Sequence, residues 1–405
     1  MRIMAVVEFF PPSLGSDLRI HELLGRLRDR HSVSFLVIPS FRELVGWIPP
    51  QRGDEVTSDS DVHRVGTAGI VRRVWKASVA LGFLLTMPVI LVRAVRVARK
   101  LRPDVVVANT PSPHTGLLSL LVARLCDLAF VVDFNDLIAQ YGASLMGWKD
   151  DSFASHVLQR VQTFLSRRAD QIFAVSAYAK SALVQEGLSP DQIVVLRNGA
   201  EPMAAADRNG NWDRARCLYM GRLESWAGLD ILEGLARYSE AHQLPIELRI
   251  AGPKPVEDGL LKGANVRYLG VFPRSELGRV LGDVEYVLVP FPPTVFNEAA
   301  VPIKLMEGMA AGCVCVCSSR AGIREIVAHL SNGVLVEDDT PKGWADAILR
   351  LQHEPALRSQ LGDRARSTIR EQYTWDALAL EFEKGLIEGW SRFAAAHGQH
   401  HHRRL

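Results

Sequence analysis

Hydrophobic positions along this chain fall into short unbroken runs separated by longer stretches of mixed polarity, a spacing that predicts alternating strands and helices. A run at residues 3–7 is followed by a loop over 9–16, a helical pattern over 17–28 and a second run at 33–38. Further runs at 105–108, 130–133 and 171–175 end in polar or small residues. Strands covered on both faces read as continuous apolar runs, so this repeat predicts a parallel sheet with crossover helices. The pattern restarts at 217–220, 247–250, 266–269, 286–289 and 313–317. Between the halves, at 198–210, asparagine, glycine and proline gather without apolar periodicity. The fold expected is α/β, two Rossmann-like doubly wound domains facing across a cleft, with ligands at the carboxyl ends of the strands.

Residues 71–102 depart from this alternation. They hold Arg72, Arg73, Lys76, Arg93, Arg96, Arg99, Lys100 and Arg102 without one acid, around an apolar stretch over 77–92 interrupted by Pro88. That stretch is too short for a comfortable bilayer span. Two readings stay open: a segment lying on an anionic membrane surface, with Trp75, Phe83, Leu84 and Leu85 on its apolar face, or two amphipathic helices packed on the sheet.

Composition narrows the class without choosing a function. At about 150 residues per domain, 405 residues predict two or three domains. The balance of 47 Lys and Arg against 45 Asp and Glu gives no reason to expect a nucleic-acid partner. Cys313, Cys315 and Cys317 alternate along one run, but no second ligand pair with CxxC spacing exists, so they read as buried thiols in a reducing cytoplasm rather than metal ligands. The apolar start, residues 1–10, runs into Pro11-Pro12 without a small-residue cleavage site and reads as a first strand rather than a signal peptide.

Candidate chemistry concentrates in residues 302–312. The pattern reads as a helix with Pro302 at its first position, Lys304 and Glu307 within two turns, and Gly312 as its stop. Backbone donors, the helix dipole and the Lys304 ammonium together make an anion site. Glu307, one turn on and on nearly the same face, suits the hydroxyls of a ribose attached to that anion. A nucleotide diphosphate pocket is the reading that uses both. Glu307 has a plainer alternative, an ion pair with Lys304 at i,i+3.

Several further motifs stand in order along the chain. They are the strand, proline pair and Gly15-Ser16 at the start; Ala174-Val175-Ser176; Arg197-Asn198-Gly199; Tyr219-Met220-Gly221-Arg222-Leu223; Ile250-Ala251-Gly252; Val266 to Gly270; and Gly322-Ile323-Arg324-Glu325-Ile326. With the Pro302 helix, they make the chain resemble the retaining, nucleotide-sugar-dependent glycosyltransferases of family four, which have the two-domain GT-B fold. The subgroup with a Pro-x-Lys-Leu-x-x-Glu donor helix is the best match. The resemblance implies an acceptor-side domain over 1–198, a donor-binding domain over 199–370, a helix over 371–392 returning to the first domain, and a disordered tail over 393–405. It implies donor contacts from Gly15, Ser16, Gly221, Arg222, Trp226, Gly252, Lys304, Leu305 and Glu307. Acceptor contacts fall on Asn109, His114 and Asp136, the last expected to end a strand. Arg222, Lys304 and Asp136 would be the catalytic residues.

The chain also departs from the family. The first of two paired glutamates falls on Ala299, with Glu298 one position off, and the lysine after the Gly-Arg loop is replaced by Ala227. Lys304 is then the candidate replacement for that cation. Trp226 reads equally as a stacking partner for the donor base or as core. Arg222 and His114 have plain alternatives as a surface and a core side chain, and Gly15 and Ser16 as an ordinary turn. Breaking a sugar–diphosphate bond puts negative charge on the phosphate, which Arg222, Lys304 and the helix dipole would stabilise without a metal or other cofactor. The expectation is a cytoplasmic enzyme, peripheral on the inner membrane face, that passes a sugar to a glycan, lipid-linked saccharide or small acceptor in cell-surface polysaccharide or glycolipid synthesis. The alternative is a non-catalytic GT-B protein that binds a nucleotide or partner chain, and a sugar phosphorylase or synthase on the same fold is a third.

Overall fold

The computed structural model describes residues 1–12, 15–40, 61–65, 79–109, 112–149, 151–204, 213–253 and 263–398, with the backbone alone for Ser16, 79–85 and Leu145. The chain divides into two compact units, the first made of Met1–Val175, Ala179–Leu196 and Leu378–Leu405, the second of Ser176–Tyr178 and Arg197–Ala377.

The elements run β1 (Arg2–Val7), α1 (Gly15–Gly25), β2 (Ser32–Val37), β3 (Val62–Arg64), α2 (Val79–Leu101), β4 (Val105–Asn109) and α3 (Pro113–Cys126). They continue with β5 (Ala129–Phe134), α4 (Ile138–Met146), α5 (Phe153–Ser166), β6 (Gln171–Ala174), α6 (Ala177–Gln185) and β7 (Ile193–Val195). The seven strands form one parallel sheet in the order β3-β2-β1-β4-β5-β6-β7. Every residue of β4 and β5 is buried, the condition that makes such strands read as unbroken apolar runs.

The second unit holds β8 (Ala215–Met220), α7 (Leu229–Ala241), β9 (Ile246–Ala251), β10 (Val266–Gly270), α8 (Leu277–Gly282), β11 (Tyr286–Val289), α9 (Val295–Ala299) and α10 (Ile303–Ala310). After these come β12 (Val314–Ser318), α11 (Ala321–Arg324), β13 (Val334–Val336), α12 (Pro341–His353) and α13 (Pro355–Gln372). Its six strands are parallel in the order β10-β9-β8-β11-β12-β13. Trp344 of α12 is fully buried against this sheet, in one cluster with Leu232, Ile250 and Tyr286. The expected α/β architecture of two doubly wound domains is therefore present.

Differences from expectation lie at the edges. Strands β3, β7 and β13 have three residues each, too short to leave a periodic signal. Residues 71–78 lie outside the described residues, and the described remainder of that segment forms one helix, α2, which continues through Pro88. Among the described residues no helix is long and apolar enough to cross a membrane. The last helix, α14 (Trp375–Ala396), takes in 393–396, expected as disordered tail. Phe393 is buried, with its ring stacked 4.2 Å from that of His397. Residues 399–405, with the tail histidines, lie outside the described residues.

Candidate functional site

In doubly wound sheets a ligand crevice opens where neighbouring strands send their connections to opposite sides. The strand orders place that point between β8 and β11 in the second unit and between β1 and β4 in the first. The sequence candidates cluster around these two points.

In the second unit Gly221 follows β8 and Gly252 follows β9, with φ of 136° and 149°. A Cβ on Gly252 would lie 1.9 Å from the Gly221 carbonyl oxygen, and one on Gly221 would lie 2.9 Å from Lys304 Nζ. The two loops thus touch backbone to backbone, and the ammonium of Lys304 rests against them. Lys304 Nζ is 4.0 Å from the Tyr219 ring centroid and 5.5 Å from that of Phe291. Burial pushes this ammonium from 10.5 down to about 7. A lysine desolvated against aromatic faces gains more from an arriving anion than a hydrated one, because its water has already been removed by folding. The Tyr219 hydroxyl donates to the Arg222 carbonyl at 2.5 Å and holds the loop below the ammonium in shape.

The other donor-side candidates are placed differently from one another. Arg222 pairs with Glu224, its Nε donating at 2.6 Å, and the same carboxylate accepts from the Trp226 indole N–H. Trp226 stands edge-on to Phe296, centroids 5.5 Å apart, and its carbonyl accepts from Asn297 Nδ2 at 2.9 Å, so the ring is packed into the loop. Glu307 is buried and accepts from Arg274 Nη1 at 2.6 Å, so its ion-pair partner comes from a distant loop rather than being Lys304. The reason is reach: the Lys304 ammonium turns toward the Tyr219 ring instead of along the helix. Pro302, with ψ of 140°, precedes the first helical residue rather than occupying it. Leu305 does not join the site, since its side chain is fully buried and its N–H donates to the Pro302 carbonyl at 3.0 Å. Glu298 does not replace the family's first glutamate: its carboxylate accepts from the Ala321 N–H at 2.6 Å, capping α11, while Ala299 and Ala227 are buried.

In the first unit Gly15 opens α1, and the side chain of Ser16 lies outside the described residues. Asn109 ends β4 and donates to Asp17 Oδ1 at 3.1 Å. Burial, with the charge of Glu8 adding to it, holds the Asp17 carboxyl well above the usual range, and its Oδ2 has no hydrogen-bond partner among the described residues. Glu8 Oε1 accepts from Thr115 at 3.0 Å and stands 3.7 Å from His114 Nε2. The same His114 nitrogen is 3.1 Å from the Pro39 carbonyl, which only accepts, so Nε2 carries the proton. Asp136 lies two residues beyond the end of β5 rather than ending it, because Asp133 takes the strand position and forms a fully buried pair with Arg19 at 2.9 Å. Burial pushes Asp136 up to about 6. Among the described residues no group of three or more His, Cys, Asp or Glu is placed to hold a metal ion.

Comparison with known proteins places both units in a family context. Residues 15–199 match the model described as a glycosyl transferase 4-like domain, and residues 214–354 match glycosyl transferases group 1. The chain is built from these two glycosyltransferase domains. It is 29% identical to the uncharacterized glycosyltransferase MJ1607 of Methanocaldococcus jannaschii, over 58% of this chain and 63% of that one. It is 25% identical to the amylovoran biosynthesis glycosyltransferase AmsK of Erwinia amylovora (64% of this chain, 65% of the relative). A third relative, the D-inositol 3-phosphate glycosyltransferase of Corynebacterium aurimucosum, is also 25% identical (58% of this chain, 60% of the relative). The matches thus span less than two thirds of each of these relatives. Among solved structures, Anabaena Alr3699/HepE in complex with UDP and glucose superposes with a TM-score of 0.69 at 17% identity, covering 96% of this chain and 99% of that one. Sucrose-phosphate synthase from Thermosynechococcus elongatus gives a TM-score of 0.74, also at 17% identity, over 95% and 98% of the two chains. These likenesses show the GT-B fold.

Tyr219, Glu224, Arg274, Glu8 and Asp17 were not legible as site residues. Tyr219 reads as one more apolar strand residue, and Arg274 as a surface cation. The local signals were position alone: Tyr219 and Glu224 flank Gly221 and Arg222, and Asp17 follows Ser16.

Proposed function

We propose that this protein is a retaining glycosyltransferase that takes a sugar from a nucleoside diphosphate donor. The observation that carries the reading is the desolvated Lys304 ammonium, held over Tyr219 against the Gly221 and Gly252 loops. A diphosphate leaving group gains charge as its bond to the sugar breaks, and a fixed cation at that position stabilises the transition state more than the ground state. Arg222 adds a second cation when it exchanges Glu224 for a phosphate oxygen, and Glu307 accepts from the ribose hydroxyls when Arg274 moves aside. No metal or other cofactor is assigned a role in this reading. Retention needs no protein nucleophile if the departing phosphate takes the acceptor's proton. Asn109, His114 and Asp136 are the acceptor-side candidates, and Asp136, raised toward neutrality, suits holding an acceptor hydroxyl. The relatives named as glycosyltransferases support sugar transfer, and the neighbour solved with UDP and glucose supports a nucleotide-sugar donor. We place the acceptor among glycans, lipid-linked saccharides and small molecules, in cell-surface polysaccharide or glycolipid synthesis on the cytoplasmic side of the membrane.

The missing carboxylate at Ala299 and the Arg222–Glu224 pair favour a second reading, a GT-B protein that binds a nucleotide without transferring a sugar. A donor panel scored for release of free nucleoside diphosphate separates the two. Release that disappears in both Arg222→Ala and Lys304→Ala supports the enzyme. Binding of UDP without release from any donor supports the alternative.

A further inference from the structure

Three helices of the first unit present a surface unlike the rest of the chain. Helix α3 packs beside α2 on one side and α5 on the other. None of the three contains an Asp or Glu, while their exposed positions include Arg93, Arg96, Arg99, Lys100, Arg124 and Arg160. Across the whole chain acids and bases nearly balance, 45 against 47, so six cations on three packed helices without an acid are a local excess of positive charge. The same helices expose large apolar side chains: Val92 at 50%, Leu121 at 46%, Leu125 at 53%, Phe153 at 84%, Val157 at 41% and Phe164 at 42%. On α5 the positions 153, 157, 160 and 164 fall on one stripe, so Arg160 lies among the apolar residues. Arg168, just beyond α5, stacks its guanidinium 3.7 Å from the Phe164 ring centroid.

Exposed apolar side chains ringed by cations match one partner best. A nucleic acid would use the cations but leave Leu121, Leu125 and Phe153 in water. A second copy of the chain meeting this face symmetrically would set arginine against arginine. A bilayer with anionic lipids offers phosphates at the depth of the guanidinium groups and acyl chains just below. We propose that the α2, α3 and α5 face docks the first unit onto an anionic membrane surface, with the three helices lying along it. This surface extends well beyond the basic 71–102 segment, and it leaves the buried side of α3, with His114 and Thr115, untouched. The inference is independent of the transferase reading, since membrane binding is measured without a donor.

The test is co-sedimentation of the full chain with phosphatidylcholine vesicles that contain or lack phosphatidylglycerol. Binding is expected only with the anionic lipid, falling as salt rises and falling about fivefold for each cation removed in Arg96→Gln, Arg124→Gln and Arg160→Gln. The Lys variants at the same positions should bind as wild type, and Leu125→Ser with Phe153→Ser should bind less at every salt concentration. An unchanged thermal unfolding midpoint shows that each variant is folded. Wild-type chain that ignores anionic vesicles at low salt overturns the proposal, as does a triple Gln variant that binds normally. Self-association abolished by the same substitutions, seen by sedimentation velocity, would also overturn it by assigning the face to a second copy.

Discussion

Replacing Lys304 with methionine tests the core of the donor site, because it keeps the apolar stem and removes only the ammonium. The step from 10.5 to about 7 sets a ceiling of about 5 kcal/mol at 1.36 kcal/mol per pH unit. Residual water around a partly exposed side chain reduces this, and about 2 kcal/mol is a working figure. The sign for stability follows from which state holds the proton. Below pH 7 both folded and unfolded chains are charged here and the folded chain bears the full cost. Between pH 7 and 10.5 the folded chain is deprotonated first and the cost fades. Lys304→Met should therefore raise the unfolding midpoint most at pH 6, with the gain shrinking toward pH 10. Binding runs the other way. A diphosphate beside Lys304 restores its proton, so above pH 7 UDP binding must take up a proton and weakens by up to tenfold per pH unit. Calorimetric titration with UDP in buffers of different ionisation enthalpy reads both the affinity and that uptake. The variant should lose the pH slope, and at pH 6.5 bind about thirtyfold more weakly, the equivalent of about 2 kcal/mol. A Lys304→Met variant that keeps the wild-type slope, or loses no affinity at pH 6.5, would refute the assignment of the phosphate to this ammonium.

Three further outcomes follow from the geometry. Gly252→Ala forces a Cβ to within 1.9 Å of the Gly221 carbonyl at a φ of 149°, so urea unfolding should show a loss above about 2 kcal/mol and UDP binding should fall with it; a variant as stable as wild type would mean the loops separate freely. Glu307→Ala should weaken UDP about tenfold while leaving pyrophosphate affinity unchanged, one lost ribose contact being about 1.4 kcal/mol, whereas equal losses for both ligands would move Glu307 away from the ribose. Asp136 is raised to about 6 by burial, so the folded chain holds this proton more tightly and loses stability as pH climbs from about 4 to 6; Asp136→Asn should then unfold at higher urea than wild type at pH 8 but not at pH 4, and an equal gain at both would point to packing instead.

Legibility in the sequence depended on whether a feature is local. The strand runs at 105–108 and 286–289 predict their elements closely, since burial on both faces leaves an unbroken apolar signature. Gly221 and Gly252 were marked by their place in motifs, and their roles became concrete only when the two loops were seen to touch. Trp226 was ambiguous until Phe296 and Glu224 claimed its edge and its N–H. Glu307 was assigned Lys304 as its alternative partner from helix spacing alone, whereas Arg274 lies outside any sequence window around it. Asp136 and Asp133 are three residues apart, and only the buried Arg19 decides which of them is fixed in an ion pair.

By itself, the amino-acid order determined two parallel α/β domains and a helix that carries a cation and a carboxylate one turn apart. Both follow from backbone periodicity, which acts over a few residues and leaves its trace in the pattern of apolar positions. Tertiary structure alone decided what those side chains can do. Lys304 becomes a half-neutral, anion-seeking group because Tyr219 and Phe291, from other parts of the chain, remove its water. Asp17 is held up by burial and by the charge of Glu8, and the cations of α2, α3 and α5 form one face only because those helices pack together. Desolvation and charge pairing act through space, so no linear spacing of residues encodes them directly.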